Sequence, residues 1–180
     1  MARTKLYLVR HGEQSPGGGL SPRGREQAER LARRLDEVLF TAIHHSPLPR
    51  AAQTADIVAS SLPRVPRHSC DHVTDRTPVP SPGQRDLYPP RWHDWLDSVP
   101  AGERDEDAQA LQAAVAHFNT TGDHLLITHN FVIGWFVRHA LDAPPWRWIG
   151  LNQDNCALTI VQWDSGHPPT LASFNDTGHL

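Results

Sequence analysis

The sequence predicts an α/β fold, a single-domain three-layer sandwich with a mostly parallel, doubly wound sheet, helices on both faces and a C-terminal antiparallel hairpin. Three observations predict it. Apolar runs of strand length alternate with stretches whose apolar residues recur at helical spacing. Charged or polar clusters follow several of these runs, where such sheets present the carboxyl ends of their strands. A length of 180 residues supports one sizeable core and is short for two ordinary domains.

The first element is the run from Leu6 to Val9, which reads as a buried strand broken by Arg10-His11-Gly12. After three glycines at 17–19, Ser21 can cap a helix with Pro22 at its first position. Ala28, Leu31, Leu35, Val38 and Leu39 then follow at helical spacing. Phe40 to Ile43 reads as a second strand, followed by a turn from Ser46 to Arg50 and a helix with Ala52, Ala55, Ala59 and Leu62 on one face. Arg50 is thereby placed near a helix N-terminus. Residues 63 to about 100 hold half of the prolines and little periodicity, which predicts an irregular excursion within a domain spanning 1–180.

A helix from about Glu103 to near Gly122 places Ala108, Leu111, Val115 and Phe118 on one face and leads into a strand from Leu125 to Thr128. His129-Asn130 opens a further helix with Val132, Ile133, Phe136, Val137, Ala140 and Leu141, stopped before Pro144-Pro145. Leu158 to Trp163 and Thr170 to Phe174 flank the turn Asp164-Ser165-Gly166-His167 and predict the closing hairpin. This topology brings Arg10-His11, the Ser46 to Arg50 turn and His129-Asn130 to one rim.

Seventeen basic residues against 20 acidic ones give a net charge of −3, with no overall field to draw the chain to nucleic acid or a membrane. Any anion site must be local. Cys70 and Cys156 lack the number and spacing of a disulfide framework or zinc ribbon, which fits a reducing compartment. No signal-peptide apolar region follows Met1 to Lys5, because Arg10-His11 interrupts the first apolar stretch; a cytoplasmic location is the expectation. Twelve histidines raise the question of metal, yet the tightest cluster, His68, Cys70 and His72, matches no established ligand spacing, and no metal or cofactor is expected. Trp92, Trp95, Trp146 and Trp148 read as packing rather than a binding rim. Arg30, Arg33 and Arg34 read as a solvated helix face.

The rim clusters suit phosphoryl chemistry. A phosphate monoester is a compact dianion, and moving its phosphoryl group needs an aligned nucleophile and donors around three equatorial oxygens. Arg10 and Arg50 supply guanidinium forks, and helices starting near Arg50 and His129 present free backbone N–H groups.

Through Leu8-Val-Arg-His-Gly-Glu13, Ser46-Pro-Leu-Pro-Arg50-Ala-Ala-Gln-Thr-Ala55 and Leu126-Ile-Thr-His-Asn130, the sequence resembles the histidine phosphatase superfamily, the phosphoglycerate mutase-like group. The resemblance implies that His11 is the nucleophile of a metal-independent phosphatase and is transiently phosphorylated. It implies a phosphate grip of Arg10, Arg50 and His129, with Asn130 beside them. His11 must be neutral to attack, so adjoining cations are expected to depress its pKa, while its other ring nitrogen donates to a carbonyl of the Arg-His-Gly loop. His129, if protonated, would donate to a phosphoryl oxygen.

The family's usual glutamate acid is absent. Asp75 occupies a comparable place before a Pro-rich loop and is assigned as general acid and then base, with Asp71, Asp86 and Glu103 as rivals. The short Gly-rich loop after Glu13 and the modest chain length favour hydrolysis over mutase-type transfer; a catalytically inactive phospholigand-binding module is the third reading. The tail from His129 to Asn155 is similar to the branch containing a mitochondrial Ser/Thr protein phosphatase. The implied substrate is a phosphorylated small molecule or a phosphoprotein, and the sequence leaves the oligomeric state open.

Overall fold

The first strand, β1 (Arg3–Arg10), is buried on both faces along most of its length. Leu6 and Leu8 point into one apolar cluster, and Tyr7 and Val9 into a second on the opposite side. This follows from the period-two alternation of side chains in a strand covered by helices on both faces. The computed structural model describes residues 3–164 and 166–180.

A helix, α1 (Pro22–Leu35), follows β1, and Ser21 caps it by accepting from the Gly24 N–H at 3.0 Å. Next come β2 (Ala42–His45), α2 (Pro49–Ser60) and a short strand, β3 (Arg67–Ser69). The stretch after β3 contains 3-10 turns, β4 (Thr77–Val79) and the five-residue helix α3 (His93–Asp97). The chain then forms β5 (Arg104–Glu106), α4 (Gln109–His117), β6 (Gly122–Thr128), α5 (Asn130–Ala140), β7 (Leu158–Asp164) and β8 (Thr170–Asp176).

The main sheet has the order β3-β2-β6-β1-β7-β8. β1, β2, β3 and β6 run parallel, and β7 and β8 close the sheet antiparallel to their neighbours. α1 and α2 bury Ala28, Leu31, Leu35, Ala51, Ala55 and Val58 against one face. α4, α5 and the excursion cover the other, with Leu111, Ile133 and Phe136 joined by Val73, Val79 and Leu96. The three layers and the closing hairpin are those the sequence predicts; the turn at 164–167 includes Ser165, which lies outside the described residues.

Several boundaries differ, each for a physical reason. α1 stops at Leu35, and Leu39, assigned to its apolar face, is 92% exposed. The second strand sits two residues later than Phe40 to Ile43, because Phe40 leaves the sheet to pack edge-on against Tyr7 at 5.0 Å. The buried face of α2 is Ala51, Thr54, Ala55 and Val58, rotated from the one led by Ala52. α4 begins at Gln109 rather than Glu103. Residues 104–106 instead pair with β4, and the buried Asp105 carboxylate accepts from the Ala110 and Leu111 N–H groups, each at 3.0 Å, anchoring the helix start.

The histidine-rich segment divides between partners instead of converging. His68 lies 5.6 Å from His44, ring centre to ring centre, and His72 stacks on His117 at 4.5 Å. Trp95 and Trp148 pack 5.8 Å apart against Phe131.

The loop after β1 is fixed by backbone crowding. A Cβ on Gly24 would collide with the Glu13 backbone, and one on Gly12 with the Gly24 carbonyl, so α1 and the loop touch main chain to main chain. Substituting Gly24→Ala is expected to destabilise the protein by about 1–3 kcal/mol through forced separation of these segments. Urea unfolding of the variant checks this, and an unchanged midpoint would contradict the packing.

Candidate active site

Parallel β1, β2 and β6 end on the same rim, and the loops leaving them converge. β1 delivers Arg10-His11, the turn after β2 delivers Ser46 and Arg50, and the end of β6 delivers His129. The joints are hydrogen-bonded: the His11 N–H donates to the Thr128 carbonyl and the Ser46 N–H to the Ile127 carbonyl, both at 3.0 Å.

Arg50 is the hub. Its Nε–H donates to His11 Nε2 at 3.0 Å, and Nη2 donates to the Asp75 carboxylate at 2.8 Å and lies 3.3 Å from His129 Nδ1. The His11 and His129 rings are 5.1 Å apart, centre to centre. Asp75 also approaches His129 Nδ1 at 3.5 Å. The structure therefore gathers His11, Arg50, His129 and Asp75 into one contact network. Arg10 joins its edge, with Nη1 donating to the Gln153 carbonyl at 2.6 Å and a buried Nε that has no hydrogen-bond partner among the described residues. A buried donor in that state carries a desolvation cost that an incoming anion can offset.

The tautomers follow from these contacts. His11 Nδ1–H donates to its neighbour's carbonyl, Gly12 O, at 2.8 Å, leaving the Nε2 lone pair to accept from Arg50. Burial pushes the His11 pKa from 6.5 down to about 4, opposed by the Gly12 hydrogen bond, with Arg50 and Arg10 adding smaller downward pushes. The direction matches the sequence expectation; the principal cause is lost solvation rather than the cations. His11 is thus a neutral imidazole with Nε2 aimed among cations.

A donor role for His129 requires its protonated form. Burial, then the nearby His11, Arg50 and Arg10, push its pKa down to about 2, so in the unliganded site it is neutral and not an imidazolium donor. Its Nδ1 accepts from Arg50, and its Nε2–H donates to Ser46 Oγ at 2.8 Å. A phosphate dianion would favour its protonated form.

Asn130 spends its side chain on the neighbouring loop. Its side chain donates to Asn152 Oδ1 at 3.0 Å and accepts from the Gln153 N–H at 2.7 Å, so it braces the 152–153 loop that holds Arg10. What Asn130 offers an anion is its backbone N–H at the start of α5, where no side chain caps the helix. α2 likewise lacks a side-chain cap.

Asp75 is 42% exposed at its side chain. Lost solvation raises its pKa above the ordinary carboxylate value, and Arg50 opposes the rise. Glu103 adds a smaller upward push, whereas Asp71 and Asp86 make no side-chain contact with the histidines or Arg50 among the described residues.

Thr54 and Asn155 lie within the stretches that carry the resemblance, but the sequence assigns neither a role. Thr54 accepts from the Gly12 N–H at 3.0 Å and donates to the Arg50 carbonyl at 2.8 Å, and Asn155 donates to the His11 carbonyl at 2.9 Å. Residue order places them in those stretches; the folded contacts show what each one holds. Among the described residues, no group of three or more His, Cys, Asp or Glu side chains is arranged to hold a metal ion.

A family profile described as "Histidine phosphatase superfamily (branch 1)" matches residues 6–177. The mitochondrial serine/threonine-protein phosphatase PGAM5 of Mus musculus is 30% identical over 195 residues, covering 99% of this chain and 65% of its own length. The chain thus spans just under two thirds of the curated relatives it matches. A crystal structure of a phosphoserine phosphatase mutant from Entamoeba histolytica in complex with phosphoserine superposes with a TM-score of 0.71 at 23% identity, covering 98% of this chain and 99% of the other. A mycobacterial glucosyl-3-phosphoglycerate phosphatase does so with a TM-score of 0.73 at 19% identity, covering 97% and 100%.

If burial dominates, His11 stays neutral and Nδ1-protonated well below the usual imidazole range. Nitrogen-15 NMR of the ring at pH 6 is expected to show that tautomer, and an imidazolium signal there would refute the assignment.

Proposed function

The chain belongs to the histidine phosphatase superfamily, branch 1, and on that premise we propose that it hydrolyses phosphate monoesters through a phosphohistidine on His11, without a metal. The observation that carries the reading is the Arg50 hub, which ties a neutral His11, a neutral His129 and an ionisable Asp75 into one small space.

In the free site, Arg50 engages both the nucleophile's lone pair and the Asp75 carboxylate. A bound phosphoryl group replaces both, because a dianion with three oxygens accepts from a guanidinium fork better than an imidazole nitrogen does. That exchange uncovers His11 Nε2 for in-line attack on phosphorus. It also releases Asp75 next to new negative charge, which raises its pKa further and favours the acid form.

In the first step the His11 Nε2–P bond forms, the P–O bond to the leaving group breaks, and Asp75 gives its proton to the departing oxygen. Asp75, now a carboxylate, takes a proton from water as that water attacks the phosphohistidine, returning phosphate and neutral His11. Arg10, Arg50, His129 and the α5 backbone N–H groups stabilise the charge on the equatorial oxygens. The donor into the Gly12 carbonyl keeps the His11 tautomer fixed throughout.

The substrate class is a phosphorylated alcohol, either a small molecule or a phosphoprotein side chain. The name of the PGAM5 relative and the phosphoserine held by the E. histolytica enzyme both support this class. Hydrolysis, rather than transfer within a phosphoglycerate, fits the short turn at 15–19, closed by the Ser15 N–H donating to the Gly19 carbonyl at 2.8 Å.

Hydrolysis of p-nitrophenyl phosphate is expected to persist in EDTA and to fall at least about a thousandfold in His11→Ala. A fully active His11→Ala protein would overturn the mechanism. Asp75→Asn should lose about 10²–10⁴-fold on alkyl phosphates and much less on p-nitrophenyl phosphate, whose leaving group needs no proton. Equal losses across a leaving-group series would remove Asp75 as the acid.

A further inference from the structure

A sizeable cavity lies away from His11 and His129. A space of about 780 Å³ opens between the excursion, α4 and the C-terminal half of α5, and none of Arg10, His11, Arg50, Asp75 or His129 lines it. Trp163 on its wall pairs with Thr4, whereas Leu158 pairs with Val9 beside the catalytic loop. Five residues of strand separate the two levels, about 17 Å at about 3.3 Å per residue. Along α5, Arg138 lies eight residues beyond Asn130, about 12 Å at about 1.5 Å per residue. The volume is that of a small-molecule site.

The walls combine apolar surface with one available cation. Leu87, Pro145 and Trp163 supply apolar surface, and the largely buried Phe118 and Trp135 present only edges to the space. Arg138 donates from Nε to the Pro144 carbonyl at 3.2 Å, and its guanidinium carbon lies 5.0 Å from the Trp135 ring centre. Its terminal N–H groups have no hydrogen-bond partner among the described residues. Burial pulls its pKa down, and Asp142 and Tyr88 partly offset that pull, so a second anion brought close would be welcome. The one carboxylate on the wall, Asp107, is engaged by the Ser81 N–H at 2.8 Å. Burial, then Arg138, pushes the His139 pKa down, and Asp142 opposes the push.

We propose that this cavity binds a small amphiphilic anion, with an aromatic or aliphatic body against Trp135, Trp163 and Phe118 and a carboxylate or sulfonate on Arg138. Stacking area and a charge-assisted fork are the two contributions that such a ligand uses together. The site is independent of the phosphatase reading, since it shares no residue with the catalytic network.

Titration with anilinonaphthalene sulfonate tests it. Dye emission is expected to saturate at one site per chain and to be unaffected by excess inorganic phosphate. Arg138→Gln should weaken binding about tenfold, the loss of one hydrogen-bonded charge contact. Ala116→Trp, at an exposed wall position, should fill the space and abolish binding while leaving the far-UV circular dichroism unchanged. Phenylnaphthylamine, which has the same rings without the sulfonate, should bind more weakly and respond little to Arg138→Gln. Undiminished dye binding in Ala116→Trp or in Arg138→Gln, or displacement by phosphate, would overturn the proposal.

Discussion

A single guanidinium makes the rim of this sheet one site. Arg50 donates to His11 and Asp75 and lies within contact of His129 Nδ1, groups that arrive from three separate stretches of chain. Lysine could not replace it, because an ammonium lacks the planar fork that addresses several acceptors at fixed angles. The arrangement is also self-limiting. Under the proposed function, an incoming phosphoryl group would exchange contacts at Arg50 and would also meet the Arg10 Nε, which has no partner among the described residues.

Arg50 can occupy that position because the backbone beneath it is rigid. Parallel β1, β2 and β6 bring their carboxyl ends to one level, and α2 starts there without a side-chain cap. Thr54 binds both the Arg50 carbonyl and the Gly12 N–H, which locks the arginine's helix to the His11 loop. The close approach of Gly12 and Gly24 presses α1 onto the same loop. Asn155 and the Cys156 N–H hold the loop from the β7 side. A nucleophile must be held within a fraction of an ångström of its line of attack, and these contacts provide that restraint.

The two ends of α5 meet different environments. Its N-terminal end faces a polar corner that holds Arg10 and Arg50, and its C-terminal half borders the cavity at Arg138. Phosphate recognition depends on charge and directed donors and needs little volume, whereas a ligand held by aromatic area needs a large concavity. This cavity and the histidine cluster therefore lie at different places on the fold.

Much of the fold and the central residues of the site were legible in the sequence. Apolar runs ending in Arg10-His11 and His129-Asn130, and Arg50 at a helix start, are local patterns. A parallel sheet turns their recurrence into a shared rim whatever the details of packing. The three-layer order and the closing hairpin follow from the same alternation. Other features were decided by tertiary structure, because they depend on what surrounds a group rather than on its neighbours in the chain. The neutrality of His129 comes from burial beside other cations. Asn130 turned out to brace Gln153 because that loop returns to it from 23 residues away. Asp75 lies in a Pro-rich stretch without periodicity, and only the folded path of that stretch sets its carboxylate against Arg50. Local residue order fixes which groups can stand at a strand end; solvation and the company of distant segments fix their charge and partners.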